Sequence, residues 1–98
     1  MATSAELTVA DDAEQGRYEA RRGSEVVGFI TYRDHPGQRA LVHVEVPPPL
    51  EGQGIGTRLV AEALDDIRRR GLFVVPVCPF VVDFLQSHPE YADLVART

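Results

Sequence analysis

Three glycines fall within five residues at Gly52-Gln53-Gly54-Ile55-Gly56, directly ahead of a segment whose apolar residues recur at helical spacing. A helix start leaves several backbone N–H groups unpaired, and its dipole favours an anion. Glycines let a phosphate approach those groups with no Cβ in the way. They also cost conformational entropy, so something requires them here. The spacing alone fits either a phosphate cradle or a tight strand-to-helix turn that binds nothing. A nicotinamide dinucleotide site is disfavoured: the loop follows three antiparallel strands rather than a first strand, and Gly54-Ile55-Gly56-Thr57-Arg58-Leu59 lacks the third glycine of that fingerprint.

Just before this loop, His43 and Glu45 alternate on a strand and so share one face. Either could act as a general base, directly or through water. The plainer reading leaves both facing solvent or paired with Arg17 or Arg39. Cys78 sits between an apolar strand and a second helix start, where a thiol can be activated. There it fits a nucleophile with His43 as base, or a general acid. The plainer reading, favoured by the residues alone, is a small buried hydrophobe. His35, His43 and His88 are dispersed and only one cysteine exists, so no metal set is expected.

The composition narrows the classes. In 98 residues, ten basic side chains oppose fifteen acidic ones, a net charge of −5. All ten are arginine, and without lysine neither a Schiff base nor a lysine-bearing phosphate loop is available. The negative balance opposes nucleic-acid binding, which rests on phosphate neutralisation, and mildly favours cationic small molecules. Arg68-Arg69-Arg70 accordingly reads as a solvated helix end. No secretory signal is expected, and the apolar run Leu72 to Val82 is far below the ~20 residues a membrane helix needs. The expectation is one cytoplasmic domain over residues 1–98, with no membrane and no nucleic-acid partner.

Positioning these groups requires a mixed architecture. Residues 1–15 are expected to fray or to add one edge strand. Arg17 to Ala20, Val26 to Tyr32 and Ala40 to Val46 read as an antiparallel meander, with turns at Arg22-Gly23-Ser24-Glu25 and Asp34-His35-Pro36-Gly37. Strict alternation would put Ala40, Val42, Val44 and Val46 on one face, and Leu41, His43 and Glu45 on the other. Pro47-Pro48-Pro49 stops that strand. A helix follows through Ile55, Leu59, Val60, Ala63, Leu64 and Ile67 to a cap at Gly71. Leu72 to Val77 reads as a buried parallel strand, and Pro79 to Gln86 as a short helix. Ser87-His88-Pro89-Glu90-Tyr91 breaks it, and Ala92 to Val95 closes the chain. The order is β-β-β-α-β-α, an α+β sandwich.

Glu45-Val46-Pro47 through Gly54-Ile55-Gly56-Thr57-Arg58-Leu59-Val60 resembles motif A of the GCN5-related N-acetyltransferases. With His43-Val44-Glu45-Val46-Pro47, Val75-Pro76-Val77-Cys78-Pro79-Phe80 and His88-Pro89-Glu90-Tyr91, the chain is similar to a small subfamily, the YjdJ-like or N-acetyltransferase-domain-containing-1 group. The resemblance covers about Arg17 to Val95. It implies a truncated acyl-coenzyme A N-acyltransferase fold with splayed central parallel strands, binding acetyl-coenzyme A and transferring acetyl to an unidentified amine. The non-catalytic alternative is an acetyl-coenzyme A sensor or interaction module. The resemblance places pantetheine contacts at Val44 and Val46 and the diphosphate on Gln53, Gly54, Ile55, Gly56 and Thr57. Phe80 either packs in the core or lines the thioester channel. Where the family pattern carries Gln or Arg, this chain has Glu51, whose carboxylate would repel a diphosphate. The family's N-terminal helices, which wall the acceptor site, have no counterpart, so a protein partner is one way to complete it.

Overall fold

The computed structural model describes residues 6–96. A five-stranded sheet runs β1 (Leu7–Asp12), β2 (Arg17–Arg22), β3 (Glu25–His35), β4 (Gln38–Glu45) and β5 (Phe73–Pro76), in that spatial order. The first three pairings are antiparallel, and β5 joins β4 in parallel. Helix α1 (Ile55–Arg69) makes the crossover between them, and α2 (Pro79–Ser87) follows β5. Short 3-10 turns at Pro48–Leu50 and Pro89–Leu94 complete the chain. The edge strand left open by the sequence is therefore present at Leu7–Asp12, while the expected fraying of residues 1–5 falls outside the described residues.

Both helices lie on one face of the sheet. The six apolar positions of the helical pattern, Ile55, Leu59, Val60, Ala63, Leu64 and Ile67, are all buried against Tyr18, Ala20, Ile30 and Leu41. Each of the larger aliphatic groups contributes about 1.5–3 kcal/mol by leaving water. Val81 and Phe84 of α2 join the same core. Arg70 caps α1, and Gly71 beyond it takes positive φ. Among the described residues no helix covers the opposite face, where Phe73 and Val77 stand exposed.

Strand β4 departs from strict alternation. Tyr32 opposes Leu41 while Thr31 opposes His43, so Val42 is an extra residue in the ladder. Such a bulge resets which side chains share a face. Leu41 is fully buried under the helices, and Val44 and Val46 face that same side. Ala40 and Val42 instead join Val75 and Val77 on the uncovered face. This corrects the grouping expected from alternation: Leu41 exchanges places with Ala40 and Val42.

The β4–β5 ladder stops at Leu41 opposite Pro76. Proline has no N–H to donate, and the next two N–H groups, of Val77 and Cys78, both reach back to the Leu41 carbonyl at 3.1 Å. From Val42 onward β4 has no β5 partner, which is the divergence of the parallel strands that the resemblance implied. On the far side of β5, Val95 forms a bridge with Val74, and the Ala96 N–H donates to the Val74 carbonyl at 2.9 Å.

At the other end of α1 a polar cluster is enclosed. The Arg39 guanidinium donates to the Tyr18 hydroxyl at 2.8 Å, and that hydroxyl donates to Asp66 at 2.6 Å. Arg39 also grips Asp34 with two hydrogen bonds and lies 3.8 Å over the Tyr32 ring. Arg69 and Arg70 pair with Asp66, and Arg68 with Asp93, so the arginine run is exposed but tied down. Burial, then the hydrogen bond to Asp11, pushes the Tyr32 hydroxyl up to about 12. Burial also pushes the Asp66 carboxyl up. Hydrogen bonds from Tyr18 and Arg70, with the charges of Arg70 and Arg69, outweigh it and hold that group below the ordinary carboxylate value.

Candidate functional site

Where β4 leaves β5, a cavity of about 440 Å³ opens between the end of β4 and the start of α1. Val44, Val46 and Leu50 form its apolar wall, Gly54, Ile55, Gly56 and Thr57 its helix-start wall, and Phe80 of α2 its third side. Seven of the eight residues expected to hold the cofactor thus line one space. The eighth, Gln53, is not among its walls; its side-chain oxygen accepts a hydrogen bond from Arg22 at 3.3 Å.

The glycines have separable causes. Gly54 is the N-cap of α1 at φ 81, a left-handed conformation that L side chains adopt only with strain. Gly56 is helical, yet a Cβ there would lie 3.0 Å from the tip of the Phe80 ring. The missing side chain therefore seats Phe80 against the first turn, and Phe80, 43% exposed, forms cavity wall rather than core. No side chain caps α1, and its first turn holds no acidic residue. Unpaired N–H groups, close backbone access and an adjacent apolar wall fit a phosphorylated ligand with a lipophilic arm.

Two charges at this site were not resolved by reading the sequence. Glu51 lines the cavity and is also exposed to solvent. Arg22 reaches the loop from the end of β2 by way of Gln53. The first charge opposes an anion and the second attracts one. Arg22 became legible only through the pairing of β2 with its neighbours, which brings residues 31 positions apart together.

His43 and Glu45 are brought together, with Nε2 and Oε1 3.1 Å apart. They stand 57% and 59% exposed on the face away from the helices, and the His43 ring meets Phe29 edge-on at 6.4 Å. Neither pairs with Arg17, which binds Glu19 and lies over Phe29, or with Arg39, which turns inward. Cys78 takes the N-cap position of α2 but is 7% exposed and packs in the core cluster on the helix side of the sheet. Cys78 thus packs on the helix side, while His43 stands on the open face. The pair sits beside the divergence of β4 from β5, on its open side.

The family model for GCN5-related N-acetyl-transferases matches residues 17–94. No functionally curated protein matches the chain. Among solved structures, a GCN5-like protein from Staphylococcus aureus superposes with a TM-score of 0.70 at 20% identity, covering 99% of this chain and 93% of that one. The ribosomal-protein-S18-alanine N-acetyltransferase of Escherichia coli superposes at 0.62 with 16% identity over 72% of this chain, which spans only 49% of that larger protein. A ribosomal-protein-alanine N-acetyltransferase from Brucella melitensis gives 0.57 at 22% identity, over 84% of this chain and 62% of that one. With an α+β sheet parted beside an uncapped helix start, and with 17–94 matched, the chain belongs to the GCN5-related N-acetyltransferase family.

Proposed function

We propose that this protein is an acetyl-coenzyme A-dependent N-acetyltransferase acting on an amine, within the small YjdJ-like subgroup and in the cytoplasm. One observation carries the reading: the uncapped start of α1 and the unpaired end of β4 open onto the same cavity. Backbone N–H groups of Ile55, Gly56 and Thr57 would hold the diphosphate, with Arg22 as the nearby cation, and Val44, Val46 and Phe80 would flank the pantetheine arm. When bound, the coenzyme supplies an acyl thioester, a carbonyl already activated toward amines.

The chain's own task is then proton management. An ammonium acceptor must lose a proton before its nitrogen can form the new C–N bond. Glu45, oriented by its hydrogen bond to His43, takes that proton and passes it to water. A second proton leaves the nitrogen as the C–S bond breaks, and it ends on the released thiol. Direct transfer is the favoured course, because Cys78 packs buried on the helix side while His43 stands exposed on the open face. The experiment is thiol release on mixing with acetyl-coenzyme A and an amine panel, with intact-mass analysis alongside. Release without an acetyl adduct supports direct transfer. An adduct that Cys78→Ala abolishes would replace it with an acetyl-enzyme.

A second reading, a module that holds acetyl-coenzyme A without turnover, is favoured by Glu51 in the cavity wall and by the helix-free face where an acceptor would bind. Coenzyme binding with no thiol release for any amine would select it. A protein partner covering that face would then be the natural route to activity.

A further inference from the structure

The uncovered face of the sheet carries a groove of about 650 Å³, floored by Ala40 and Val42 of β4 and by Val75 and Val77 beyond the parallel pairing. Its two ends differ in charge. At one end stand Arg33 and His35 of β3, with Pro36 and Gln38. Arg33 opposes Ala40 in the ladder, and its guanidinium has no hydrogen-bond or ion-pair partner among the described residues. The neighbouring Asp34 does not neutralise it, because that carboxylate is taken by Arg39. Past its other end, beyond the lining residue Val42, β4 runs on into His43 and Glu45, which share this face. Arg17, Glu19 and Arg21 lie farther across the sheet, where the one Glu19 carboxylate bridges both guanidiniums and leaves the trio a single positive charge.

From this polarity we propose that the groove is the acceptor site and that its ligand is a small amphiphilic amine: an ammonium at Glu45, an apolar middle over Val42, Val75 and Val77, and an anionic tail at Arg33. This rests on the acetyltransferase reading and names its substrate class. The spacing supports an extended ligand, since Ala40, opposite Arg33, to Glu45 spans roughly 15 Å of strand. A free guanidinium on an apolar floor is suited to a carboxylate or phosphate, which it can bind through two parallel hydrogen bonds.

The test titrates straight-chain ω-amino carboxylates, and alkyl amines of matched length, into the isotope-labelled protein without coenzyme, following backbone amide shifts. The expected result is that the carboxylates shift the amides of Arg33, Ala40, Val42, Val75 and Val77. They should bind roughly tenfold more tightly than the plain amines, as a charge-assisted hydrogen bond allows. Arg33→Gln should erase that preference, and Arg33→Lys should keep part of it. Equal affinity with and without the carboxylate, shifts located elsewhere, or a preference that survives Arg33→Gln would overturn the assignment. Coenzyme A calorimetry on the same samples separates the two readings. Flat coenzyme heats would sink acetyl transfer while the titration still decides the groove, and Arg33→Gln should leave the coenzyme heats unchanged.

Discussion

Gly56 and Phe80 form one unit: the Phe80 ring tip occupies the place a Cβ on Gly56 would need, 3.0 Å from that position. Gly56→Ala should therefore act on binding rather than on folding. Replacing a helical glycine stabilises by about 0.5–1 kcal/mol, and the half-exposed ring can swing aside at small cost. We expect a melting temperature unchanged or slightly raised, with coenzyme A affinity reduced several-fold as the displaced ring narrows the cavity. Calorimetry and a thermal scan on the same sample decide it; a lower melting temperature with intact binding would refute the coupling.

At Gly54 the expectation has the opposite sign. Nothing lies within 4 Å of an added Cβ, so the only penalty is the left-handed backbone at φ 81. Gly54→Ala should lose about 1–2 kcal/mol of stability, and Gly54→Asn less, because asparagine tolerates that region. Urea midpoints at constant slope are the measurement.

Glu51 and Arg22 should pull coenzyme affinity in opposite directions. Across roughly 8 Å of well-solvated space, one charge acting on a diphosphate is worth about 0.5–1 kcal/mol. Glu51→Gln is thus expected to tighten coenzyme A roughly two- to fivefold, and Arg22→Gln to weaken it by a similar factor. Both effects should shrink as salt is raised. Salt-independent changes would indicate contact geometry instead.

Glu45→Gln should lower turnover by roughly 10²–10⁴-fold if the carboxylate is the base. Because both members of the His43–Glu45 pair are more than half exposed, melting should barely move. His43→Gln, which keeps a hydrogen-bonding group beside Glu45, should cost less. Equal loss of activity and stability in either variant would argue for a structural role.

Acid stability should depend on Asp66. Its folded-state carboxyl lies below the ordinary value, so the stability it adds is full above the unfolded value and disappears as pH falls through the folded one. Asp34 and Glu19, held down chiefly by hydrogen bonds from Arg39 and Arg21 respectively, add to the same trend. Asp66→Asn should cost about 3 kcal/mol near neutrality, since it leaves Arg39 buried with one charge partner fewer. That deficit should shrink as pH falls from neutrality into and below the ordinary carboxylate range. Denaturant titrations across that interval check it, and a constant deficit would exclude the linkage.

Much of this arrangement was legible in the sequence because it is local. Periodicity located α1, the three prolines ended β4, and the glycines marked the cavity wall at Gly54 and Gly56. What escaped depends on registers that no local rule sets. The extra residue Val42 moved Leu41 to the core side, and only the pairing of β3 with β4 reveals it. Arg39, one of the two arginines offered as alternative partners for His43 and Glu45, is drawn inward by Tyr18 and Asp66, residues 21 and 27 positions away along the chain. Cys78 looked available beside a helix start, but its N–H is committed to the Leu41 carbonyl and its side chain is enclosed by the core.

The short bridge from Val95 to Val74 carries a practical corollary. It occupies backbone on the outer margin of β5 that would otherwise be free to recruit a strand from another molecule, right beside the greasy Phe73. Proteolytic trimming just past Leu94 would therefore do more than shorten a tail: it would uncap a growth point for fibrous self-association.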